Sequence, residues 1–172
     1  IVSTGFHGLS RLGLALLTSE KLPSAAEISP QLKDRAINAH KRPYPAVRAL
    51  HAFIESKPKS ESWRAAGTDS SDGLIEAIRG ICTSSNCQAV LSKTSILKDP
   101  DWPKDLIWDE WVLNGGEDYE LILCLPKEWA EALSRKFKTA QIIGYIKEGK
   151  PDIFWDNLEQ ITTKKSNLFQ HF

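Results

Sequence analysis

The chain has 172 residues, a normal size for one domain with a buried core. Hydrophobic residues make up 41% and charged residues 26%, and 22 acids balance 22 bases. That balance lacks the basic excess usual in partners of nucleic acid or of an anionic membrane. No apolar run reaches the length that spans a bilayer.

Residues 1–4 read as a strand already under way. They follow no methionine and show no signal-peptide pattern, so a longer protein is expected upstream. Residues 5–8 predict a glycine turn, and 10–17 a leucine-rich helix. Ser29-Pro30 has the form of an N-cap followed by proline at the first helical position, and that helix runs to about His40. Pro43 and Pro45 break the chain. Val47, Leu50, Phe53 and Ile54 then recur at helical spacing in a helix expected to begin near Pro45. A strand is expected over 63–68 and a turn over 69–73. Leu74, Ile75, Ile78, Ile81 and Cys82 follow at helical spacing, a strong amphipathic pattern.

Beyond that helix the reading is a strand over 88–93, a prolyl loop, and a helix over 106–113 stopped by Gly115-Gly116. A strand over 119–125 is closed by Pro126, and a helix covers 127–137. Two last strands, 141–146 and 152–155, sit close enough in sequence to predict a hairpin. Strands alternate with helices, so the fold class is α/β (α+β): a layered mixed β-sheet with helices packed on it, in a single domain over 1–172. Cys82, Cys87 and Cys124 form no zinc-spaced set and read as buried free thiols of a cytoplasmic protein. His7, in its glycine turn, reads as a hydrogen-bonded structural residue, and His40 and His51 as surface or edge residues.

Two clusters carry possible chemistry. Asp69-Ser70-Ser71-Asp72-Gly73 puts two carboxylates and two hydroxyls before a helix start. Hard oxygens of this kind suit magnesium, which usually arrives with phosphates, and a helix start suits phosphate oxygens. On the local pattern alone, ordinary helix capping is the plainer reading of the same residues. Asn114-Gly115-Gly116-Glu117-Asp118-Tyr119-Glu120 sets two glycines before three acids. Read as the start of a strand, it puts Glu117 and Tyr119 on one side and Asp118 and Glu120 on the other. A helix stop leading into a solvated strand end would give the same string.

The order and spacing of the two clusters are more specific than either alone. Asp69, Ser71, Asp72 and Gly73, followed by Gly115 through Leu121, resemble the thiamine-monophosphate kinase family, within the aminoimidazole ribonucleotide synthetase-related superfamily. The opening Thr4-Gly5-Phe6-His7-Gly8 with its helix resembles the start of that family's second domain. Arg42-Pro43 with Pro45 resembles a proline-containing segment of the family. Phe169-Gln170-His171-Phe172 resembles its aromatic ending, with Leu168 and Gln170 standing where the family shows glycine and aspartate.

The resemblance implies transfer of the γ-phosphoryl group of ATP to thiamine monophosphate, with magnesium. It implies that Asp69 and Asp72 bind magnesium, Ser71 contacts the ATP phosphates, and Glu117 and Phe169 contact the substrate. It also implies that an amino-terminal domain is missing, that the full-length enzyme is a homodimer, and that this domain alone is inactive. Two other readings stay open: another ATP-using enzyme of the same superfamily, and a non-catalytic binding or assembly domain.

Overall fold

The computed structural model describes residues 1–162. Its elements follow in chain order: β1 (Val2–Ser3), α1 (Leu9–Leu17), α2 (Pro30–Lys41), α3 (Val47–Ser56), β2 (Ala66–Asp69), α4 (Leu74–Ser85), β3 (Cys87–Leu91), α5 (Asp109–Asn114), β4 (Leu121–Cys124), α6 (Lys127–Lys136), β5 (Gln141–Ile142), β6 (Gly144–Glu148) and β7 (Asp152–Trp155). They form two sheets. One is antiparallel, in the order β2-β4-β1-β5. The other has the order β6-β3-β7, with β3 antiparallel to β6 and parallel to β7. The mixed, layered α/β architecture expected from the alternating elements is present.

Alternation along the strands assigns each face of the antiparallel sheet. Val2 and Leu123 join a cluster with Phe53 of α3 and with Trp129 and Leu133 of α6. Phe53 and Trp129 stack with ring centroids 4.7 Å apart, and the Trp129 indole N–H donates to the Phe53 carbonyl at 3.0 Å. Ile1 and Ile122 face the other way, into the larger core built on α1, α2 and α4. Leu74, Ile75, Ile78, Ile81 and Cys82 are all buried there, as their spacing requires. Ser29 caps α2 through its hydroxyl, which accepts from the Leu32 N–H at 3.1 Å. Gly13 lets α1 approach α2 closely, since a Cβ there would lie 2.1 Å from the Ala36 carbonyl oxygen.

Several expectations need correction. The hairpin of the last two strands does not form, because β3 lies between β6 and β7. Cys87, Ala89, Val90 and Leu91 are buried on both faces, and such a strand takes neighbours on both edges. The strand expected over 141–146 is two strands. The chain leaves one sheet at Ile143 and joins the other at Gly144, where a Cβ would lie 2.1 Å from the Val90 carbonyl oxygen. Residues 106–113 give a single 3-10 turn, Leu106–Trp108, and then α5, a shorter α-helix than expected. The helix after Pro45 starts at Val47, and Asp69 closes β2 where a turn was expected.

Candidate functional site

Antiparallel pairing of β2 with β4 places Asp69 opposite Leu121. The two acidic clusters, some forty residues apart in sequence, therefore meet at one end of the sheet. Ser70 fastens them: its N–H donates to the Glu120 carbonyl at 2.9 Å, and its hydroxyl accepts from the Glu120 N–H at 3.1 Å. The Glu117 N–H donates to the Ser71 carbonyl at 2.7 Å. Gly73, at φ 102°, presses so close that a Cβ would sit 3.2 Å from the Asn114 carbonyl.

The capping alternative for 69–73 fails on geometry. α4 has Gly73 as its N-cap and no side-chain cap. The Ser71 hydroxyl donates instead to Asp69 Oδ1 at 3.0 Å. Asp69 and Asp72 stay exposed, and with Ser71, Thr68 and Glu76 they line a cavity of about 400 Å³. Among the described residues, no group of three or more His, Cys, Asp or Glu could hold a metal. One or two carboxylates with waters and phosphates are nevertheless the usual protein share of a magnesium site, so Asp69 and Asp72 fit that ion.

The second cluster departs from the expected strand. Glu117 and Tyr119 have φ values of 65° and 53°, so extended pairing begins only at Leu121. The α5 helix ends at Gly115 as expected, although Gly115 is extended there and not left-handed. Its role is close approach, because a Cβ would lie 2.4 Å from the Trp111 carbonyl oxygen.

Asp118 and Glu120 turn inward. Helix α1 has Gly8 as its N-cap, with no side chain to cap it, and no acid in its first turn. Asp118 caps it from across the fold: its carboxylate accepts from the N–H groups of Gly8 at 2.7 Å and Ser10 at 3.0 Å. Burial pushes Asp118 up to about 7, against the pull of those two donors. Burial also raises Glu120, which accepts from the Thr4 hydroxyl at 2.5 Å. The sequence reading assigned neither acid a clamping role. The capless glycine start of α1 was the signal that a carboxylate had to arrive from elsewhere.

His7 is fully buried, as the structural reading expected, with Nε2 2.8 Å from the Ser3 hydroxyl. Burial lowers it to about 4, so the ring is neutral, with Nδ1 4.0 Å from Asp118. His51 is exposed, and His40, half-buried, meets the Ser10 hydroxyl at 3.0 Å. The three cysteines are free thiols, and burial pushes Cys82 up to about 12, which disfavours a thiolate there.

Glu117 faces a second cavity, of about 540 Å³, whose lining includes Phe6, Arg42, Tyr44 and the inward acids. The Glu117–Ser71 bond joins this cavity's wall to the acidic one. Asp69, Ser71, Asp72 and Glu117 are thus brought together, while Phe169 lies outside the described residues.

No protein-family model matches the chain. It is 43% identical over 172 residues to the thiamine-monophosphate kinase of Prochlorococcus marinus, covering 100% of this chain and 52% of the relative. It is 39% identical over 176 residues to the enzyme of that name from Synechococcus elongatus, again covering 100% of this chain and 51% of the relative. A solved structure of AaThiL complexed with AMPPCP and TMP superposes with a TM-score of 0.73 at 25% identity, over 99% of this chain and 50% of that one. The hydrogenase maturation protein HypE in complex with ATP shares the fold, with a TM-score of 0.52 at 12% identity over 96% of this chain and 51% of that one. The chain spans about half the length of the curated relatives that it matches. By sequence along its whole length, the chain belongs to the thiamine-monophosphate kinase family.

Proposed function

We propose that this chain is the carboxy-terminal domain of an ATP- and magnesium-dependent kinase that converts thiamine monophosphate to thiamine diphosphate. The observation that carries this reading is the bond from the Glu117 N–H to the Ser71 carbonyl. It sets a cavity edged by exposed acids beside a second cavity edged by Glu117. A phosphoryl donor and a phosphoryl acceptor need two such adjoining sites.

In this reading Asp69 and Asp72 hold magnesium, and Ser71 contacts the ATP phosphates. Bound magnesium supplies positive charge that offsets the repulsion between two phosphorylated substrates. Glu117 holds the acceptor through its cationic thiazolium or its aminopyrimidine, and Phe169 is an aromatic neighbour of the same substrate. A phosphate oxygen of thiamine monophosphate attacks the γ-phosphorus of ATP, the bond to the β-phosphate oxygen breaks, and ADP leaves. This chain's residues orient the partners and take no proton. An absent amino-terminal domain supplies further metal ligands, and the complete enzyme is a cytoplasmic homodimer.

The test is thiamine diphosphate formation by the full-length protein with magnesium-ATP and thiamine monophosphate. Turnover by the full-length protein and negligible turnover by residues 1–172 alone are expected. A full-length protein that forms no thiamine diphosphate overturns the reading, and comparable rates for the two overturn the shared active site.

A further inference from the structure

The Arg42-Pro43-Tyr44-Pro45 segment links α2 to α3, and packing does not account for its aromatic side chain. Tyr44 is 70% exposed. Among the described residues its ring has no aromatic neighbour and its hydroxyl no hydrogen bond. A large ring held in water between two prolines, each with a fixed φ, loses little conformational freedom when a ligand covers it.

Tyr44 lines the same cavity as Glu117, and Phe6, from the glycine turn before α1, lines it too. Much of the remaining polar lining is already engaged. Arg35 forks onto Asp99, with both N–H···O distances 2.7 Å, and reaches Asp101 at 2.6 Å. Asp118 and Glu120 spend their carboxylates on α1 and Thr4. The cavity therefore presents aromatic side chains from two separate loops together with the Glu117 carboxylate and the Arg42 guanidinium. The rings and the carboxylate suit a flat heteroaromatic group with amino donors, and the guanidinium suits an anionic group on the same ligand.

We propose that Tyr44 is a specificity-determining residue for the phosphoryl acceptor, its ring packing against the acceptor's heteroaromatic end. The inference rests on reading the Glu117 cavity as the acceptor site. The two prolines hold the ring at the cavity. α2 anchors the start of the loop through the Arg35–Asp99 fork and through its close contact with α1 at Gly13.

Steady-state kinetics of the full-length protein, with thiamine monophosphate and ATP varied separately, test this for Tyr44→Ala and Tyr44→Phe. Tyr44→Ala is expected to raise KM for thiamine monophosphate about tenfold or more, the scale of one lost ring stack. KM for ATP should stay within about twofold. Tyr44→Phe should keep both constants, because the ring and not the hydroxyl makes the contact. An unmoved KM for thiamine monophosphate in Tyr44→Ala, or an equal rise in both constants, overturns the assignment of Tyr44 and leaves the Glu117 cavity standing. A wild-type full-length protein that forms no thiamine diphosphate overturns both.

Discussion

Two pairs of acids meet where β2 ends and β4 begins, and they have opposite fates. Asp69 and Asp72 remain exposed at the edge of a cavity. Asp118 and Glu120 point inward, one capping α1 and the other accepting from Thr4. A carboxylate that keeps its water can exchange it for a cation. One that has been desolvated needs donors of its own and becomes part of the scaffold. An acidic cluster in a sequence thus contains both solvated acids open to a cation and buried clamps, and burial sorts them.

The sharpest way to break this comparison is to neutralise one member of the exposed pair. Asp72→Asn in the full-length protein should lower kcat about 100-fold, the usual scale for losing one group that stabilises transferring charge. Its thermal unfolding should match wild type, because the side chain is exposed. Turnover near the wild-type level would remove Asp72 from the site.

The inward pair should respond in stability first. A Cβ on Gly5 would lie 2.2 Å from Glu120 Oε1. Gly5→Ala must displace the half-buried Glu120 carboxylate from its bond to Thr4, at a cost of roughly 1–3 kcal/mol. Chemical denaturation of the full-length variant measures it, and a midpoint equal to wild type would show that Glu120 moves freely.

The smallest effect separates the clamp from its neighbour by pH. Asp118 is raised from 3.8 to about 7, so the folded state holds its proton more tightly, and its contribution falls as pH rises across that window. His7 is lowered from 6.5 to about 4, so its contribution rises with pH between those values. In wild type the two oppose each other. In Asp118→Asn the larger opposing slope is removed while that of the raised Glu120 stays, so stability should climb more steeply with pH than in wild type from about 4 to 6.5. Thermal unfolding across that range checks the slope, and parallel wild-type and variant curves would contradict it.

Much of the architecture was legible because it follows from local pattern. The apolar spacing of Leu74 to Cys82 dictated α4 and its buried face, and Ser29-Pro30 marked the start of α2. The last hairpin was misjudged for a long-range reason. Whether β6 pairs with β7 or with β3 depends on what β3 needs at its edges, and no residue of β6 or β7 records that. The strand expected from Tyr119 was misjudged because Glu117 and Tyr119 adopt positive φ. L-residues reach that region at roughly 1–2 kcal/mol each, and here the Glu117 N–H bond to the Ser71 carbonyl and the Gly8 and Ser10 N–H bonds to the intervening Asp118 carboxylate hold the segment in place.

The sequence by itself determined the family, the two acidic clusters and the helices around them, since residue identity and spacing carry that information. The local pattern of Asp69–Gly73 did not exclude a plain helix cap, because side-chain type alone serves both a cap and a ligand turn. Only the tertiary structure decided that Ser71 turns to Asp69 and leaves α4 uncapped, that Asp118 caps a helix 110 residues away in sequence, and that Tyr44 shares a cavity with Glu117. Each of these depends on which surfaces are removed from water together, a property of the packed chain and not of any segment within it.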